Sequence, residues 1–335
     1  MKKAAVLLAV VAVLALIGTA QAGWNKFTVT EGNWSNASNW SLGNVPGCSG
    51  GGWADGENAE ILGAKTCHID IDTPCSGNDF NDLQWVYVGS CNHPGEAKVY
   101  LDTDHVFSPR FGVNVGEGCR SDSGRGTFIQ TNGTLGGSPD KTSIRIADSE
   151  TKYYQGYGTY IISGGNINNV SILMGPEHGW KKYFYGYGFF TIDNSAGTVG
   201  TIQTGTFFES PRSTFKIILD SNGNVPTVEV SGDATLSGVL RLEYTGYTPT
   251  PGTVIDVLTA GGTLTYKNHT MTYDDDGDGD TPEIPLPDLV LSADDPNWVL
   301  GDDGAGTLQL TYVPEPATLV LLGLGGCLVL LRRKK

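Results

Sequence analysis

The sequence predicts an all-β fold: a parallel β-helix or β-solenoid of roughly 30-residue coils with a terminal β-layer. Three observations carry that expectation. The stretch from Val86 to Val199 repeats itself about every 30 residues. Glycine supplies 47 of the 335 residues, while only 17% are charged, a composition rich in turns. Helical periodicity plays almost no part outside the two ends.

The repeat has two patterns. Val86-x-Val88-Gly89, Val113-x-Val115-Gly116, Ile144-x-Ile146-Ala147 and Ile172-x-Met174-Gly175 are copies of one apolar step, spaced 27, 31 and 28 residues apart. Between them, Gly124-Arg-Gly-Thr-Phe-Ile, Gly156-Tyr-Gly-Thr-Tyr-Ile and Gly186-Tyr-Gly-Phe-Phe-Thr each lead to a glycine-polar-aliphatic step at Leu135, Ile167 and Val199. No such unit can bury its own apolar face, so successive units stack and share one core. Stacking would place Phe128, Tyr160 and Phe190 above one another on one wall, and Ile146 between Val115 and Met174 on another. A sandwich of antiparallel hairpins also gives short strands and frequent turns. The fixed period favours the solenoid.

The chain divides on these grounds into five stretches. Residues 1–22 read as a secretory signal peptide: Lys2-Lys3, an apolar run from Ala4 to Ile17, and the small-x-small cleavage site Ala20-Gln21-Ala22. Residues 23–82 read as an N-terminal capping region, in which Trp34 and Trp40 cover the first coil; stacking sugar rings is their other use. Residues 83–212 hold the repeats. Residues 213–312 keep strand-like runs such as Phe215–Leu219, Val239–Tyr244 and Val254–Leu258 without the strict repeat, and read as a terminal β-layer. Residues 313–335 end in an uncharged apolar run, Ala317 to Leu331, followed by Arg332-Arg333-Lys334-Lys335. As a transmembrane helix the run would span ~22 Å against a bilayer core of ~30 Å, a marginal fit. The basic tail would remain cytoplasmic and the body outside.

Setting aside the six basic residues of the end segments leaves 15 Lys and Arg against 36 Asp and Glu, a formal charge of −21. Nucleic acid and anionic membrane surfaces are poor partners for such a body. Five cysteines fall in the first third of the exported part (Cys48, Cys67, Cys75, Cys91, Cys119), and export permits disulfides. Cys91 and Cys119 follow the stacked steps Val86-x-Val88 and Val113-x-Val115 by three and four residues. Neighbouring strands about 4.8 Å apart would bring both to one corner within disulfide reach. Cys75 with Cys91 is the rival pairing.

Val313-Pro314-Glu315-Pro316-Ala317-Thr318, the apolar run and the basic cluster with Arg332 and Arg333 together resemble the PEP-CTERM sorting signal of exported bacterial proteins. That resemblance implies that an exosortase recognises Pro314-Glu315-Pro316 at the inner membrane, after which the protein passes to the cell surface or extracellular matrix. The secretion machinery and exosortase are the partners it implies. The body is similar, more loosely, to solenoid proteins found upstream of such signals, through its opening Asn39-Trp40…Val45-Pro46-Gly47 and through Val239–Tyr244 with Gly252-Thr-Val-Ile-Asp-Val-Leu258. Ice-binding proteins also carry such tails, but the regular Thr-x-Thr ladder expected of them is missing.

Two stretches could hold ligands. Asp274, Asp276, Asp278 and Asp280 alternate before a glycine as in Ca²⁺ loops, although Pro285 stands where an EF-hand has its bidentate glutamate. A solvated acidic loop is the rival reading, and no cofactor is required. Tyr153 and Tyr157 recur 30 residues later as Tyr183 and Tyr187 beside Trp180. Exposed, this strip could hold extracellular polysaccharide; folded inward, it is a stacked turn. The five histidines show no metal-ligand spacing, and no nucleophile elbow, zinc motif or phosphate loop occurs. The expectation is a non-enzymatic, surface-directed structural or adhesive protein. The alternatives are a polysaccharide-binding module and a β-helix lyase, the latter needing a base such as Arg125, Arg145, Lys152 or Lys182 beside an acidic cluster.

Overall fold

In the strand Tyr157–Ile162, Gly158, Tyr160 and Ile162 are buried while Tyr157, Thr159 and Ile161 face outward, and this two-residue alternation sets the cross-section of the molecule. The computed structural model describes residues 24–47, 57–73, 83–90, 95–118, 124–138, 141–148, 156–175, 186–272 and 283–313. Short strands turn at corners and stack in parallel on their counterparts one coil away. The result is a solenoid of about seven turns with three walls of nine, nine and eight strands and almost no helix beyond one 3-10 turn at Ala37–Asn39.

The first wall runs from Trp24–Lys26 through Leu83–Val88, Gly112–Val115, Ser143–Ile146 and Ser171–Met174 to Leu264–Thr265. The second begins at Glu31–Asn33 and includes Arg125–Gln130, Tyr157–Ile162, Tyr187–Asp193, Thr214–Leu219 and Val239–Tyr244. The third holds Val106–Phe107, Thr134–Gly136, Gly165–Asn168, Val199–Thr204, Val228–Val230 and Val254–Ala260. The registers are those the repeat demands. Tyr160 opposes Phe128 and Phe190, and Ile146 opposes Val115 and Met174.

An aromatic column runs up the core. Trp34, its ring 4.8 Å from Trp40, meets Phe107 at 5.3 Å. Phe128 lies parallel to Tyr160 at 5.0 Å, followed by Phe190 and Phe215. All of these side chains are buried. One polar network interrupts the hydrocarbon. Tyr160 donates its hydroxyl proton to Gln130 Oε1 at 2.7 Å, and Gln130 Nε2 donates to the carbonyls of Asn166 and Gly133. Every polar atom of the Gln130 amide thereby has a partner, as burial requires.

Both ends differ from the sequence expectation. Residues 24–73 do more than cap, since their strands form the first rungs of two walls. The true lid is the segment that bridges Phe27 to Trp40 and closes the edge of Trp24–Lys26 through Asn25, Ser41 and Asn44. At the other end the parallel ladder continues past residue 212 through Val239–Tyr244 to Val290–Ala293. Only Trp298–Asp302 and Thr307–Tyr312, antiparallel to each other and to Val254–Ala260, form a sealing layer. The strict repeat fades earlier than the fold does because stacking needs only inward apolar side chains, whereas the glycine motif answers to one corner. The expected signal peptide and the apolar run 317–331 lie outside the described residues. No helix among those described is long and apolar enough to cross a membrane.

Candidate functional site: the pinched corner and the sorting tail

The glycine-x-glycine motif marks the corner between the first and second walls. Here the chain leaves the first wall at Gly116, Ala147 and Gly175 and rejoins the second at Gly124, Gly156 and Gly186. The two backbones touch. A Cβ on Gly126 would stand 2.0 Å from the carbonyl oxygen of Val88, and one on Gly158 would stand 2.2 Å from that of Val115. Glycine is therefore dictated by contact between chains. The middle residue of each motif points out of this neck, which places Arg125, Tyr157 and Tyr187 in one ladder.

That ladder is a closed stack. The Arg125 guanidinium lies 4.7 Å from the Tyr157 ring centre, Tyr157 and Tyr187 stack at 5.2 Å within 8° of parallel, and Arg212 covers Tyr187 at 5.6 Å. The ring faces are thus turned to one another and to cations. Edges and hydroxyls are what the two tyrosines can offer a ligand. Tyr153, Trp180 and Tyr183, the rest of the expected strip, lie outside the described residues, as do Lys152 and Lys182.

A second aromatic group, which the repeat did not single out, decorates the outer face of the first wall. Trp24 and Tyr87 lie 5.1 Å apart, Trp85 and Phe111 6.0 Å apart, and Arg145 rests 4.9 Å over Trp85 while its Nη1 lies 3.3 Å from Asp148. The partners in these ring contacts stand 26 to 63 positions apart in the chain, so only the parallel register could have grouped them. Around the corner between the first and third walls, Ser108, Arg110, Ser138, Lys141 and Thr142 line an open depression of about 310 Å³.

Inside the corner one coil further on, Glu209 replaces apolar neighbours, since it opposes Met174 and Leu236 in the ladder. Its Oε1 accepts the Phe215 amide at 3.1 Å, and Oε2 has no partner. Burial dominates and pushes the carboxyl up to about 8, against the pull of the Phe215 and Val239 amides. Ser210 and Ser213 share a hydrogen bond beside it, and Ser237 Oγ donates to its carbonyl. A lone glutamate in an apolar ladder position was a visible signal, but its burial was not.

Cys67 is buried with a free thiol, held well above its ordinary range by burial and then by Asp70. Cys91 and Cys119 lie outside the described residues, although the strands leading to them stack in the expected register, Val86 on Val113 and Val88 on Val115. The acidic loop Asp274, Asp276, Asp278, Asp280 also lies outside, between strands His269–Thr272 and Glu283–Leu286, which pair antiparallel. Among the described residues no group of three or more His, Cys, Asp or Glu is placed to hold a metal ion.

The last described strand of the body is Thr307–Tyr312. Val313 donates its amide proton to the carbonyl of Asn297 at 2.8 Å, and the tail begins there. Residues 313–335 match the PEP-CTERM protein-sorting motif. A sorting signal of this kind implies export and recognition by exosortase. Pro314, Glu315, Pro316, Arg332 and Arg333, the residues expected to serve the signal, lie outside the described residues, as do Ala20 and Ala22. No curated protein and no solved structure matches the chain.

Proposed function

We propose that this is a non-enzymatic structural or adhesive β-solenoid, delivered by exosortase to the cell surface or extracellular matrix. The observation that carries the proposal is the sorting motif at residues 313–335, joined without a spacer to a rod of stacked coils. The segment that bridges Phe27 to Trp40 covers the edge of Trp24–Lys26, a device against edge-to-edge aggregation that suits an exported structural element. The lyase alternative would need a basic side chain free to act beside an acidic cluster. Arg145 is instead paired with Asp148, and Arg125 lies on Tyr157. In the native host, Glu315→Ala should block processing and leave the protein at the inner membrane. Unchanged processing and surface delivery would overturn the sorting assignment.

A second reading, polysaccharide binding, rests on the cation-aromatic column of Arg125, Tyr157, Tyr187 and Arg212. Tyrosine hydroxyl edges flanked by guanidinium groups suit an acidic polymer. Passing the mature protein over a panel of acidic polysaccharides distinguishes the readings. Retention supports the module, unsaturated products reveal a lyase, and neither outcome leaves the structural role.

A further inference from the structure

We propose that the outer face shared by the C-terminal hairpin and the adjoining strand Val254–Ala260, built from Val254, Val299, Thr311 and Val313, is the surface on which the sorting enzyme seats while it engages Pro314-Glu315-Pro316. The inference rests on the exosortase reading above and adds to it a docking surface on the folded body. Thr311 opposes Val254 on one side and Val299 on the other, so the three share the outer face of the third wall. Val313 follows two residues later on that same face. Leu308 and Leu310, of opposite parity, are buried.

The exposure pattern is uneven. Eight large apolar side chains are exposed among the described residues, and three of them, Val254 at 50%, Val299 at 52% and Val313 at 49%, meet at this one place. Single exposed valines need no explanation, whereas a contiguous group at the exit of a sorting tail does. Chain geometry supplies the occupant. The body is hydrogen-bonded as far as Val313, and Glu315 lies two residues on, within about 7 Å even when fully extended. An enzyme that encloses Pro314-Glu315-Pro316 must therefore bring its own surface against the side chains around Val313.

The rim favours a protein over lipid. Asp256, on the same outer face, is held by Gln309 at 2.7 Å, so the valines are bordered by a fixed carboxylate. Anionic headgroups would be repelled by such a border. An apolar patch on the enzyme, rimmed by hydrogen-bond donors or basic groups, would fit it.

The test uses the full-length chain in its native host. A photo-crosslinking residue is placed at position 254, at position 299, or at Val106, which is equally exposed at 50% but sits on the far strand of the same wall. Cross-links to exosortase from 254 and 299 but not from 106 are expected. The double variant Val254→Asp, Val299→Asp should be processed about ten-fold more slowly, while the thermal unfolding of the protein that is recovered stays at the wild-type temperature. Cross-links to lipid, to a second copy of the chain, or to nothing at 254 and 299 would overturn the docking surface, as would processing of the double variant at the wild-type rate. Glu315→Ala separates the two claims. If it blocks processing while the patch results are negative, sorting stands and the docking surface falls; if it changes nothing, the sorting assignment itself falls.

Discussion

The coils that carry Gly126 and Gly158 and the later coil that carries Glu209 share the three walls, yet they build the corner between the first and second walls differently. In the earlier coils the corner is a contact of backbone on backbone, with Gly126 and Gly158 leaving no space for a Cβ. The middle residues Arg125, Tyr157 and Tyr187 are pushed outward into a stack. In the later coil side chains fill the corner, with the buried Glu209 carboxyl accepting the Phe215 amide and Ser210, Ser213 and Ser237 bonding around it. The comparison separates two requirements. Stacking demands apolar inward residues everywhere, whereas glycine is demanded only where two chain segments cross.

The comparison is broken most severely at a pinch glycine. Gly158→Ala puts a Cβ against the Val115 carbonyl and the Ala147 amide, so chemical denaturation should show a loss of about 3 kcal/mol or more, or no folded product. Gly246→Ala is the control. Gly246 sits at φ +77° with nothing within 4 Å of a Cβ, so it should lose only about 1 kcal/mol, from backbone strain alone. Equal costs at the two positions would refute the crossing-chain account of the motif.

The later corner responds to pH through its buried carboxyl. With its folded value raised from 4.5 to about 8, Glu209 binds its proton more tightly in the folded than in the unfolded chain. The contribution of Glu209 to stability is accordingly greatest below about pH 4.5, falls as pH rises towards 8, and levels off above it. The full difference is on the order of several kcal/mol. Thermal melts of wild type and Glu209→Gln between pH 5 and pH 9 should diverge steadily, with the variant flatter. Parallel curves would mean that the carboxyl does not titrate in this window.

Smaller effects sharpen the picture. Tyr160→Phe removes the donor to Gln130 Oε1 and leaves a buried acceptor unpaired, for a loss of about 1 to 3 kcal/mol in urea unfolding. If stability is unchanged, water or another donor has replaced the hydroxyl. Arg125→Ala, at the outer end of the stack, should cost only about 0.5 to 1 kcal/mol, because an exposed cation-aromatic contact is weak. A larger loss would mean that the stack holds the corner closed.

The sequence by itself determined the fold class, the parallel register of its middle coils and the sorting motif. A period near 30 fixes which residues stack, and Phe128, Tyr160 and Phe190 could occupy no other relation once the units were parallel. The tail was legible because its three parts are contiguous in sequence. The extent of the solenoid was not, since the rungs at Trp24–Lys26 and Val239–Tyr244 lack the corner motif and stack through apolar side chains alone. Only the tertiary structure decided that the tyrosine ladder is sandwiched between arginines. Arg212 reaches Tyr187 from the last residue of the repeat region, across a spacing of 25 residues that no local pattern encodes. The valine group is of the same kind. Val254, Val299 and Val313 are dispersed over sixty positions in the chain and meet only because Thr307–Tyr312 pairs antiparallel with a strand on either side.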